Sequence, residues 1–107
     1  MVTPIPGWTA VLSLDDLPEG AIRRATAGER DLVLIRHQGA IYALANVCPH
    51  RGGLLSEGAL QCGAEIACPI HGFRYDLATG KATMPAEVPG VRAYEARVEA
   101  GQVLVKT

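Results

Sequence analysis

The chain lacks an excess of charge of either sign. Ten Lys and Arg stand against eleven Asp and Glu, for a net charge of -1 and a sequence pI near 6.3. That balance gives nucleic acid or an anionic bilayer no basic footprint to bind. No apolar run approaches the roughly 20 residues of a membrane span, and the opening Met1 to Trp8 has neither the basic nor the apolar part of a secretory signal. Aromatics are scarce at 5%, so a core must be built from Val, Leu, Ile and Ala. Cysteines number only three, an odd count that argues against a disulfide scaffold and for a reducing compartment. These absences predict a cytoplasmic protein with no nucleic-acid or membrane partner.

What is present fits one ordinary domain, residues 1–107. Hydrophobic residues reach 49% against 20% charged, which excludes disorder. The 12 Gly and 7 Pro exceed the roughly 12% of average usage and signal many turns and short elements. Strand periodicity dominates. Residues 31–36 and 40–45 are apolar runs joined by His37-Gln38-Gly39, a hairpin signature that puts His37 in a solvated turn. Residues 94–99 and 102–105 form a second pair about Ala100-Gly101. Near the start, runs at 8–11 and 21–25 flank the turn signal Leu17 to Gly20. One helical turn at 14–17, capped by Ser13, is the most helix that the pattern supports, and no internal repeat is evident.

The segment from Asn46 to about Gly80 differs in kind. It holds all three Cys and two of the three His, with only brief strands expected at 65–67 and 73–76. A stretch so poor in core-forming elements needs another source of order, and bound metal is the obvious one. Cys48-Pro49-His50 and Cys68-Pro69-Ile70-His71 each offer one thiolate and one imidazole. Such ligands suit zinc or an iron–sulfur centre rather than hard, oxygen-seeking ions. A zinc finger pairs Cys with Cys and His with His, whereas here the pair is mixed within each loop. The mixed arrangement fits a two-iron cluster, with a structural zinc site as the alternative.

With C-P-H-R-G-G and C-P-I-H-G-F-R-Y-D, the sequence resembles the Rieske-type ferredoxins. The resemblance extends through Leu55-Ser56-Glu57-Gly58, Asp76 to Lys81 and the proline-bearing stretch Met84 to Gly90. It implies an all-β Rieske fold: a small antiparallel sandwich or barrel from the chain ends, with a cluster-binding part inserted at about 46–80. It implies one Rieske-type [2Fe–2S] cluster bound by Cys48, His50, Cys68 and His71, where two His replace two of four Cys ligands on one iron. It further implies that Gly53 and Ile70 stand where respiratory members have a loop-bridging disulfide. Phe73 replaces a hydroxyl donor and Tyr75 keeps one. Met84-Pro85-Ala86 is expected to cover the cluster, with Arg51 and Arg74 on a docking rim. Cys62 fits neither loop and is expected to be a thiol without a ligand role. The function implied is one-electron transfer, not catalysis, from a flavin-dependent ferredoxin reductase to a terminal oxygenase. The alternative is the small Rieske subunit of an NAD(P)H-dependent nitrite reductase.

Overall fold

A computed structural model describes residues 7–48, 52–61, 63–70 and 72–107. Ten strands follow in order: β1 Trp8–Ser13, β2 Ile22–Ala27, β3 Arg30–His37, β4 Ala40–Ala45, β5 Ala59–Gln61, β6 Glu65–Ala67, β7 Arg74–Asp76, β8 Ala82–Met84, β9 Ala93–Glu99 and β10 Gln102–Lys106. Every ladder is antiparallel. One sheet of six strands has the order β1-β10-β9-β4-β3-β2, and its two edges approach each other as in a barrel. A second sheet, β5-β6-β7-β8, is built wholly from the chain between β4 and β9. The all-β expectation holds.

β3 shows why two layers form. Leu32, Val33, Leu34 and Ile35 are all fully buried. Alternation along a strand sends neighbouring side chains to opposite faces. Leu32 and Leu34 join Leu17, Ala43, Val103 and Val105 in the core of the six-stranded sheet. Val33 and Ile35 join Leu44, Leu55, Ile66, Tyr75 and Leu77 in a second core shared with the smaller sheet. Covering both faces of β3 is what its unbroken apolar run requires. Each such side chain contributes about 1.5–3 kcal/mol through burial.

Two hairpins match the sequence reading closely. His37 pairs with Ala40 across Gln38 and Gly39, both at positive φ, and Glu99 pairs with Gln102 across Ala100 and Gly101, also positive. These are the dihedral signs that right-twisted strands demand of a two-residue turn. His37 itself closes β3 and is half-buried, so it is a strand residue and not the expected solvated turn histidine. Glu19 secures that turn: its carboxylate accepts hydrogen bonds from Gly39 N–H (2.8 Å) and Gln38 N–H (2.6 Å). Those bonds hold its carboxyl below the usual carboxylate range. A 3₁₀ turn at Leu14–Asp16 follows Ser13, whose hydroxyl accepts from Asp15 N–H at 3.3 Å. The runs at 8–11 and 21–25 flank a turn but are not ladder partners, because β1 pairs with β10 and β2 with β3. The strands β5 and β8 and a 3₁₀ turn at Leu55–Glu57 have no counterpart in the sequence reading.

Close backbone crossings fasten the smaller sheet. A Cβ at Gly58 would stand 2.0 Å from Ala67 O, and one at Gly80 would stand 2.0 Å from Val91 O. Gly80 O in turn accepts from Val91 N–H at 2.8 Å, which ties the β7–β8 hairpin to the chain entering β9. Gly80 and Gly101 share nearly the same φ (76° and 75°), yet a Cβ at Gly101 meets nothing within 4 Å. Gly101→Ala should therefore cost only the left-handed backbone penalty of about 1–2 kcal/mol. Gly80→Ala should cost at least about 1–3 kcal/mol more, because backbone must move. Denaturant unfolding of the two variants beside the parent checks this, and equal losses would contradict it.

Candidate metal centre

Two short loops present the cysteines in the same way. Cys48 N–H donates to Gly53 O (2.7 Å) and Gly52 N–H donates to Cys48 O (2.9 Å). Cys68 N–H donates to Phe73 O (2.7 Å) and Gly72 N–H donates to Cys68 O (2.9 Å). Gly52 and Gly72 both have φ of 71°, the left-handed conformation that glycine adopts without a Cβ penalty. The loops are thus structural repeats of one C-P-x-x-G turn, which the sequence carries at 48–52 and again at 68–72. The imidazoles break the symmetry, at the second residue after Cys48 and the third after Cys68. His50, His71, Arg51 and Cys62 lie outside the described residues, so the expectations for them are not addressed by the geometry.

Cys48 and Cys68 are buried in the core shared by the two sheets. The two cysteines are close enough to interact, since Cys48 is among the groups that raise the Cys68 thiol. The Cys48 sulfur is 3.0 Å from the Tyr75 hydroxyl, and the Ile70 N–H points at the Cys68 sulfur. Burial pushes the Cys68 thiol up, the Ile70 N–H opposes this, and the neighbouring Cys48 adds to the rise. Burial is also the largest cause holding the Tyr75 hydroxyl well above its ordinary range, followed by its bond to Cys48. This is an apolar pocket with two thiols side by side, one N–H and one tyrosine hydroxyl beside them, and against a thiolate the hydroxyl can only donate. Thiolates there need a cation, and donors to sulfur are what a low-charge iron–sulfur cluster uses. The described residues fit such a group.

The expected correspondence of Gly53 with Ile70 has a spatial basis. A Cβ on Gly53 would stand 2.5 Å from Ile70 Cγ1 and 2.9 Å from the Cys68 sulfur. Ile70 therefore fills the gap between the loops, and only glycine fits opposite it. Phe73 is half-buried against the shared core. Met84 ends β8 opposite Arg74 and is 56% exposed, and Pro85 begins the turn after it. Met84 is thus a strand residue, although it was expected in the covering loop. Arg74, expected on the rim, has its guanidinium 4.0 Å from the Glu65 carboxylate.

Sequence reasoning overlooked Asn46, which is completely buried. Its Nδ2 donates to Asp31 Oδ1 (3.1 Å), and its Oδ1 accepts from Ser56 N–H (2.7 Å). Its main chain donates to Asp31 O (2.9 Å) and accepts from Leu55 N–H (2.8 Å). One side chain thus fixes both ends of the first loop to β3. Asp31 is held in turn by Arg24 through two bonds of 3.0 and 2.8 Å. The only sequence signal is a polar residue between the apolar run of β4 and Cys48.

Residues 7–96 match the Rieske [2Fe-2S] domain family. The chain belongs to that family. A ferredoxin component of naphthalene 1,2-dioxygenase/salicylate 5-hydroxylase systems from a Ralstonia species is 34% identical over 99 residues, covering 92% of this chain and 94% of the relative. A chain in the complex of reduced oxygenase and oxidized ferredoxin of carbazole 1,9a-dioxygenase superposes with a TM-score of 0.82 at 34% identity, covering 95% of this chain and 94% of that one. A proposed NADH-dependent nitrite reductase small subunit from Mycobacterium tuberculosis gives a TM-score of 0.84 at 26% identity, covering 95% and 96%. The chain is a Rieske ferredoxin with one [2Fe–2S] cluster, an electron-transfer component and not a catalytic enzyme. No helix among the described residues is long and apolar enough to cross a membrane.

The Arg24 hydrogen bonds hold the Asp31 carboxyl below the usual carboxylate range, with the Asn46 bond acting in the same direction and burial opposing both. A depressed folded pKa contributes stability that is fully present above the unfolded value of about 4 and is lost as pH falls through the folded one. The stability difference between the parent and Asp31→Asn should therefore be constant above about pH 5 and shrink below about pH 4. Denaturation midpoints across pH 3–7 check the sign. A gap that widens on acidification would contradict it.

Proposed function

We propose that Cys48 and Cys68 ligate one iron of the cluster and His50 and His71 the other, and that residues 46–80 are the cluster-holding part of one domain, 1–107. The observation that carries this reading is the pair of matched loops, which set Cys48 and Cys68 side by side in an apolar core. When bound, the cluster accepts and releases one electron at a time. Neutral imidazoles leave it with two fewer negative charges than an all-cysteine centre would have, which raises its potential. The Tyr75 hydroxyl and the Ile70 N–H donate toward sulfur, which favours the reduced, more negative state.

The physiological role is to carry electrons from a flavin-dependent reductase to a terminal oxygenase, in the cytoplasm. Similarity to ferredoxin components of dioxygenase systems, and to a chain seen with its oxygenase, supports this role. The nitrite-reductase alternative draws support from a whole-length structural likeness at lower identity. A carrier meets its partners in turn, so each contact should be small and reversible.

Protein isolated without oxygen should contain two irons and two acid-labile sulfides. Substituting Cys48, His50, Cys68 or His71 should abolish the cluster absorption, and Cys62→Ser should leave it intact. Stoichiometric zinc without sulfide would overturn the ligand assignment. The purified chain should support oxygenase turnover only when reductase and oxygenase are both added. Isolation as a stable complex with a sirohaem-containing chain would favour the nitrite-reductase role.

A further inference from the structure

Tyr94, half-buried on β9, lies beneath two guanidinium groups. Arg92 Cζ is 5.2 Å and Arg30 Cζ 5.9 Å from the ring centroid, and Arg30 Nη1 is 3.4 Å from the Tyr94 hydroxyl. Both arginines are exposed. Among the described residues no carboxylate forms an ion pair with either, whereas Arg24, Arg74 and Arg97 are paired with Asp31, Glu65 and Glu99. The ring attracts each cation modestly. Two like charges gathered over one ring still repel each other, and an acidic group placed across them would relieve that repulsion.

The patch adjoins the first cluster loop. Arg92 O accepts from Ala45 N–H at 2.8 Å, three residues before Cys48. Leu32 pairs with Ala45 at the end of the β3–β4 ladder, and Arg30 and Val47 each lie two residues beyond that pair along their own segments. Val47 is 46% exposed and immediately precedes Cys48. An exposed apolar residue, a tyrosine and two uncompensated arginines make the composition that protein interfaces favour. We propose that Val47, Tyr94, Arg30 and Arg92 form a docking surface for an acidic patch on the electron-accepting oxygenase. This rests on the electron-carrier reading above. Arg74, which the sequence places on a docking rim, stands on β7 of the smaller sheet, whereas Tyr94 and Arg30 stand on β9 and β3 of the larger one.

The test is the rate at which the reduced holoprotein passes its electron to the purified oxygenase whose turnover it supports, followed by stopped flow. Arg92→Glu and Arg30→Glu should each slow the second-order rate about tenfold at low ionic strength. Added salt should erase the difference as it screens the charges. The visible spectrum and midpoint potential should stay at their parent values. Arg23→Glu makes the same charge change at an exposed position of β2 and should transfer at nearly the parent rate. Parent-like rates in both patch variants, or equal slowing by Arg23→Glu, would overturn the docking surface while leaving the carrier role standing. A parent protein that reduces no oxygenase would overturn the carrier role and the docking surface together.

Discussion

Cys48 and Cys68 share their core with Val33, Ile66 and Leu77, and charge on two adjacent sulfurs there is unfavourable unless a cation compensates it. The surrounding structure answers that constraint. Matched C-x-x-x-G turns hold the sulfurs at equivalent points, Ile70 N–H and Tyr75 hydroxyl face them, and glycine at position 53 leaves room for Ile70 between the loops. Metal binding then contributes order to a segment whose strands are only three residues long.

Short strands cannot anchor themselves, and the anchoring is done from outside. β3 presents Val33 and Ile35 to the shared core and Leu32 and Leu34 to the opposite one. Asn46 hangs both ends of the first loop on Asp31 of the same strand. The Gly80–Val91 crossing ties the far hairpin to the chain leading into β9. The cluster loops are thus positioned by the six-stranded sheet, which suits a site whose geometry should change little when an electron arrives.

Much of this was legible from residues alone, for identifiable reasons. The β3–β4 and β9–β10 hairpins announce themselves through local alternation and a glycine at the turn, and β6 was read at its actual bounds. The cysteine and histidine spacing carries the metal chemistry without any knowledge of fold. Pairing of β1 with β10 joins opposite ends of the chain, and no local pattern encodes it. β5 and β8 are too short to show a period. Gly80 and Gly101 look alike in sequence, and only the approach of Val91 separates them. Asn46 was passed over because a lone Asn after a strand reads as loop, while burial and four hydrogen bonds make it a fastening point.

In the proposed centre two imidazoles, from His50 and His71, share the cluster with two thiolates. Pulsed electron paramagnetic resonance on the reduced protein, with histidine labelled by ¹⁵N, tests it most directly. Strong coupling of the electron spin to two inequivalent histidine nitrogens, with both signals carried by the label, is the expected result. A reduced centre with no coupled histidine nitrogen, as an all-cysteine cluster would give, would contradict it.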